Sequence, residues 1–142
     1  MYSLDSDTVN GILNGHPKIV GRVKAERSDD LWICTIVLEE LIGKQISRIN
    51  TLRSKERPFG RECQFLTKLM AVLSAFPILT YTDEAEKLYL SWSAKQKRVG
   101  PNDCRIAASA LSAGMTVVTC NQKDFSTIPG LRLGENLQDW SV

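Results

Sequence analysis

Apolar residues follow two rhythms along this chain. Short runs rich in apolar and β-branched residues occur at 1–5 ("MYSLD"), 31–37 ("LWICTIV"), 77–81 ("PILTY") and 115–120 ("MTVVTC"). Each is flanked by polar or turn-forming residues, and the pattern predicts short strands, the second apolar throughout as in a buried parallel sheet. Between them the spacing becomes helical. Leu38, Leu41, Ile42, Ile46 and Ile49 share one face of a predicted helix in "LEELIGKQISRINTL", and Phe65, Leu66, Leu69, Leu73 and Phe76 share one in "FGRECQFLTKLMAVLSAF". "TVNGILNG" and "PKIVGRVKAER" read as short helices parted by the turn "NGHP". "TDEAEKLYLSWSAKQKR" opens with Thr82 and acids in its first turn, as a capped helix should. "NDCRIAASALSAG" predicts a helix stopped by Gly114, and "GLRL" at 130–133 a last short strand. Strands alternating with helices make this an α/β protein with a largely parallel sheet and helices on both faces.

Length and composition narrow the class. A chain of 142 residues with 43% hydrophobic and 24% charged residues is expected to fold as one globular domain over 1–142. No run of 18 apolar residues is present, and "MYSLDSD" lacks the basic-then-apolar pattern of a secretory signal, so a cytoplasmic protein is expected. Cys34, Cys63, Cys104 and Cys120 form no CxxC pair and have no histidine nearby, which argues for reduced thiols rather than a zinc site. Cys34 and Cys120, inside apolar runs, are expected to be buried. The single histidine, His16, sits in a turn-rich stretch and reads as solvated. Net charge is only +2, but its distribution is uneven. Lys44 to Arg61 carries six Lys or Arg against one Glu, and "KQKR" at 95–98 adds three more. A solvated helical face is the commoner meaning of such a run, yet a basic flank beside an acidic centre also suits a phosphate-backbone ligand.

The acids supply that centre. In parallel α/β sheets ligands bind outside the carboxyl ends of the strands, and helices that run back antiparallel to the strands begin at the same edge. Asp5 ends the first predicted strand, Asp7 follows it, Glu40 lies in the helix leaving the second, Asp103 opens its helix, and Asp124 follows "MTVVTC". Topology therefore gathers three to five carboxylates at one edge. Such a group must take up a proton or bind a cation, and oxygen ligands alone point to Mg²⁺ or Mn²⁺. Taken singly, Asp7 and Asp103 could be helix-start acids worth ~1 kcal/mol and Asp124 a turn residue. Glu39 is expected to be exposed, about 100° round the helix from Glu40.

"YSLDSD", "TIVLEELIG" and "GPNDCRIAASALSAGMTVVTCNQKDFSTIPGLRL" together resemble the PIN-domain ribonucleases of the VapC type, toxins of bacterial toxin–antitoxin pairs. The resemblance implies a PIN-like three-layer α/β/α sandwich with a short, mainly parallel central sheet. It implies Asp5, Glu40, Asp103 and Asp124 as the four site acids, with Asp5 and Asp103 as metal ligands, Glu40 acting on the attacking water, and Thr119 and Asn121 supporting the site. Asp7 stands where the family often has Asn and is left outside this set. The implied activity is Mg²⁺- or Mn²⁺-dependent endoribonuclease cleavage, with a VapB-type antitoxin as partner and a homodimer as assembly. The alternatives are a PIN-type nuclease of RNA processing and a catalytically silent PIN-like binding module. A phosphoryl-accepting receiver domain would also cluster acids around Mg²⁺, but neither "LWICTIV" nor "PILTY" ends in the acceptor aspartate it needs.

Overall fold

The computed structural model describes all residues from 1 to 142. Five short strands, β1 (Tyr2–Leu4), β2 (Leu31–Cys34), β3 (Ile78–Leu79), β4 (Thr116–Val118) and β5 (Leu137–Gln138), form one sheet in the order β3-β2-β1-β4-β5. Every pairing is parallel. Leu4, at the end of β1, lies between Ile33 and Val118 of its neighbours, so the strand ends are level. From β1 the chain crosses to β2 and β3 on one side, then returns to build β4 and β5 on the other. The change of direction falls between β1 and β4, the position where such sheets open a crevice.

Seven helices cover the sheet: α1 (Ser6–Leu13), α2 (Pro17–Ala25), α3 (Thr35–Ser54), α4 (Gly60–Leu73), α5 (Asp83–Ser91), α6 (Pro101–Ser112) and α7 (Gln122–Phe125). Alternate strand residues feed two cores. Leu4, Leu31, Ile33 and Val118 pack with Val9, Ile19, Val37, Leu41 and Leu69 from α1–α4. Val117 and Leu137 pack with Ala85, Ala107, Ala110 and Phe125 from α5–α7. Burial on both faces explains why the strands read as continuous apolar runs. The all-parallel sheet between helical layers is the α/β arrangement read from the sequence.

Some element boundaries differ from the sequence reading. The strand expected through Val37 ends at Cys34, and α3 begins at Thr35. Ile36 and Val37 are β-branched, but they share a buried helical face with Leu41 and Ile49, so packing overrides propensity. The helix expected through Arg98 stops at Ser91; "KQKR" is turn, held by Ser93–Gln96 hydrogen bonds and by Lys97 over the Tyr89 ring. "GLRL" is not a strand: Leu133 makes only an isolated bridge to Leu137, and β5 comes four residues later. Cys34 is buried as expected, but Cys120 lies beyond the end of β4 and is exposed. His16 caps α2, its Nδ1 accepting from the Ile19 amide at 3.5 Å.

Helix α6 matters most for the site because it carries Asp103. Gly100, at φ +115°, turns the chain into it, a conformation that L side chains avoid, and Pro101 supplies its first turn. Four small residues, Ala107, Ala108, Ser109 and Ala110, are buried along it and allow close approach to the sheet. Across α6, Arg105 makes two 3.0 Å bonds to the Glu86 carboxylate of α5, which also accepts from the Tyr81 hydroxyl at 2.6 Å. Overpacking this seam is expected to be costly. Ala107→Leu should lower stability by about 1–3 kcal/mol in urea denaturation, whereas Ala113→Leu, at an exposed position, should stay within about 0.5 kcal/mol.

Candidate active site

Asp5 occupies the first turn of chain after β1 and is only 2% exposed. Its carboxylate caps α1, Oδ1 accepting from the Thr8 amide at 2.8 Å. Its own amide donates to the Val118 carbonyl at 3.0 Å, and the Thr8 hydroxyl donates to the same carbonyl at 3.1 Å. These bonds stitch the end of β1, the start of α1 and the end of β4 together at the crevice. Burial pushes the Asp5 carboxyl up to about 6, with Asp7 adding to the rise, while hydrogen bonds from Thr119 and Thr8 pull it down.

Asp103 lies in the first turn of α6 and is half-buried. It too is pushed up to about 6, first by burial and then by the charges of Asp5, Glu40 and Asp7, with Lys44 opposing. Three elements that are remote in sequence thus place four carboxylates in one electrostatic neighbourhood. None of the four ion pairs in the protein involves Asp5, Asp7 or Asp103.

Glu40, in the second turn of α3, is held at both oxygens: Oε1 accepts from Lys44 Nζ at 3.1 Å and Oε2 from Asn102 Nδ2 at 3.3 Å. Glu39 is exposed, as expected. Glu40, Lys44, Asn102 and Asp103 line a cleft of about 230 Å³. Asp124 is placed differently. It is exposed on α7 and lines an adjoining hollow of about 190 Å³ with Arg98 and Thr127; the two spaces share Val99 as a common wall. A hydrogen-bonded chain still ties it to the centre. Thr119, fully buried, bonds the Asp5 carboxylate and accepts from the Asn121 amide at 2.9 Å, and Asn121 Nδ2 donates to Asp124 Oδ2 at 3.0 Å. No three carboxylates converge into a ready-made metal cage.

The sequence reading passed over Lys44 as a site residue and did not single out Thr8 or Asn102. Lys44 follows Glu40 by four residues, the spacing of a helical ion pair, and was therefore readable. Asn102 meets Glu40 from 62 residues away, and no local pattern announces it.

The PIN domain sequence profile matches residues 2–131. The chain belongs to the PIN domain family. Along its full length it is also similar to VapC-type toxins of toxin–antitoxin systems. It is 27% identical to the tRNA(fMet)-specific endonuclease VapC of Salmonella typhimurium, covering 98% of this chain and 97% of that protein. Among solved structures it resembles DNA-bound VapBC from Salmonella typhimurium, with TM-score 0.74, 27% identity, and 98% and 97% of the two chains covered. It resembles VapBC2 from Rickettsia felis bound to a promoter DNA fragment, with TM-score 0.73, 25% identity and 98% of each chain covered. The chain is thus a VapC-like member of a nuclease family with a PIN-like fold, and no helix in it is long and apolar enough to cross a membrane.

The raised carboxyls set the expected pH dependence. A carboxyl whose folded pKa exceeds its unfolded value favours folding at low pH, and that support is lost as pH rises through the folded pKa. With divalent cations chelated, the protein should therefore lose stability as pH rises from about 4 to about 6, Asp5 alone accounting for about 3 kcal/mol. Glu86, held down to about 2 by Arg105 and Tyr81, acts in the opposite sense at lower pH. Thermal denaturation in chelator checks this: the wild-type Tm should fall across pH 4–6, and Asp5→Asn should flatten the fall.

Proposed function

We propose that this protein is a Mg²⁺- or Mn²⁺-dependent endoribonuclease acting as the toxin of a type II toxin–antitoxin pair, with Asp5, Glu40, Asp103 and Asp124 as its site acids. The observation that carries the reading is the uncompensated charge at the β1–β4 crevice. Two carboxyls there are pushed up to about 6, and neither has a protein cation as ion-pair partner. A hard divalent cation suits this donor set, because Mg²⁺ is usually held by one or two carboxylates and keeps several waters. Asp5 and Asp103 would hold the ion, with Asp124 reaching it directly or through water. When bound, it would lower the pKa of a coordinated water and offset charge on the phosphoryl oxygens.

The remaining chemistry falls to this chain's own residues. Glu40 is kept in place by Lys44 and Asn102 and would orient the attacking water and accept its proton. The water oxygen bonds to phosphorus, the bond to the ribose 3′ oxygen breaks, and that oxygen takes a proton from solvent. The products would carry 5′-phosphates and 3′-hydroxyls. Thr119 and Asn121 would hold Asp5 and Asp124 in register. Lys and Arg side chains on the rim would offset repulsion between the acids and the approaching phosphates. By similarity to relatives crystallised as VapBC complexes, a VapB-type antitoxin would be its partner; a homodimer is the assembly that the VapC-type resemblance implies. The same chemistry would serve a PIN nuclease of RNA processing. A silent binding module draws support only from the absence of a ready-formed cage.

Cleavage of end-labelled structured RNA tests the proposal. Cutting should require Mn²⁺ or Mg²⁺, stop with EDTA, and fall at least 100-fold in Asp103→Asn, in which the amide keeps the size of the side chain but is a poor ligand. Cutting that ignores both EDTA and the substitution would overturn the assignment. A folded protein that binds RNA without cutting it under any divalent cation would favour the silent module.

A further inference from the structure

A second, smaller pocket opens beside the acidic cleft, and Lys44 lines both. It lies between α1, α3 and α4. Leu41, Phe65 and Leu69 supply apolar walls, Asn10 and Gln45 supply amides, and Lys44 and Arg48 supply positive charge. Gln45 is unusual for α3: it is only 1% exposed. Its Nε2 donates both hydrogens to Glu62, to the carbonyl at 2.9 Å and to Oε2 at 2.8 Å, while no protein donor reaches its Oε1. Nε2 is therefore fully used and the side chain locked, leaving a fixed acceptor at the pocket. Asn10 is half-buried, and its side chain makes no hydrogen bond within the protein. Gln45 Oε1 and the Asn10 amide, neither with a partner in the protein, thus offer hydrogen-bonding groups to a ligand in the pocket.

The dimensions and charge narrow the ligand. The volume of about 120 Å³, well above the roughly 10–15 Å³ a single water needs, suits a small group such as one planar heterocycle rather than a helix or a strand. An aromatic wall suits the face of a base, amides suit its hydrogen-bonding edge, and Lys44 and Arg48 suit the phosphates on either side. On the far side of the acids, the hollow of Asp124 continues through Arg98 and Thr127 into a further one lined by Lys95 and Gln96. The acids thus lie midway along a path with cations at both ends.

We propose that the pocket of Asn10, Gln45 and Phe65 receives one nucleobase of the RNA strand, next to the bond that is cut, and sets base preference there. The proposal rests on reading the chain as a ribonuclease. Gln45 Oε1 accepts from an exocyclic amine or ring N–H, Asn10 supplies the complementary donor or acceptor, and Phe65 packs on the ring.

The test separates the pocket from the chemistry. Asp103→Asn protein is incubated with a random-sequence single-stranded RNA hexamer pool, and the retained RNA is sequenced. One base should be enriched at least about tenfold at one position, as a stacked, edge-read base implies. Adding Asn10→Ala should abolish the enrichment and Phe65→Leu should weaken it. Asn14→Ala, an exposed amide at the end of the same helix, should leave it intact. No retention, no enrichment, or enrichment indifferent to both pocket variants overturns the proposal. So does a protein ligand, rather than base preference, being lost with Asn10→Ala, which would make this a protein docking site. Whether the wild-type protein cuts RNA is read separately, so failure of the nuclease reading and failure of the pocket remain distinguishable.

Discussion

Like charges crowded where water is scarce form the constraint on which the rest of the site depends. Asp5 is fixed at the end of the central strand by its cap on α1 and by its amide bond to Val118, so it cannot swing out to solvent. Asp103 is carried to it by α6, whose small residues let the helix lie close against the sheet. The fold thus buries both carboxyls, which makes both reluctant to ionise, and adds the charge of Asp7 at Asp5 and those of Asp5, Glu40 and Asp7 at Asp103. Glu40 is held at both oxygens by Lys44 and Asn102. The structure expends stability on this arrangement in the absence of a counter-charge, which is the usual mark of a functional site.

Much of this was legible in the sequence, for identifiable reasons. Strands buried on both faces leave apolar runs, helices leave a 3.6-residue rhythm, and parallel topology dictates which ends of both meet. Asp5 and Asp103 follow from those three facts. The errors fall where tertiary packing decides against local preference. Ile36 and Val37 look like strand and are helix because their neighbours on α3 face the same core. "GLRL" looks like strand but makes only an isolated bridge, and it is Leu137 and Gln138, beginning four residues after Leu133, that pair with β4. Cys120 looked buried because strand composition outran the strand itself. Contacts such as Asn102 with Glu40 join residues 62 positions apart and leave no trace in periodicity.

Charge arrangement links the site to its ligand. Acidic centres repel phosphate, and a polyanion approaches one only where basic groups offset that repulsion. Here the offset is local rather than global: the net charge is only +2, while Lys44 and Arg48 lie to one side of the acids and Arg98 and Lys95 to the other. Asp124 stands in this path rather than in the inner cleft, tied to Asp5 through Thr119 and Asn121. A bound strand would cross the carboxyl edge of the sheet with its reactive phosphate over Asp5 and Asp103.

The central claim is that these carboxylates form a site for a divalent cation, and calorimetric titration of Mn²⁺ into the cation-free protein addresses it most directly. Run at pH 6 in buffers of different ionisation enthalpy, it reports both binding and the protons that Asp5 and Asp103 must release to bind. The account predicts saturable binding with net proton release, both lost in Asp103→Asn. Absence of saturable binding, or binding unchanged by that substitution, would contradict it.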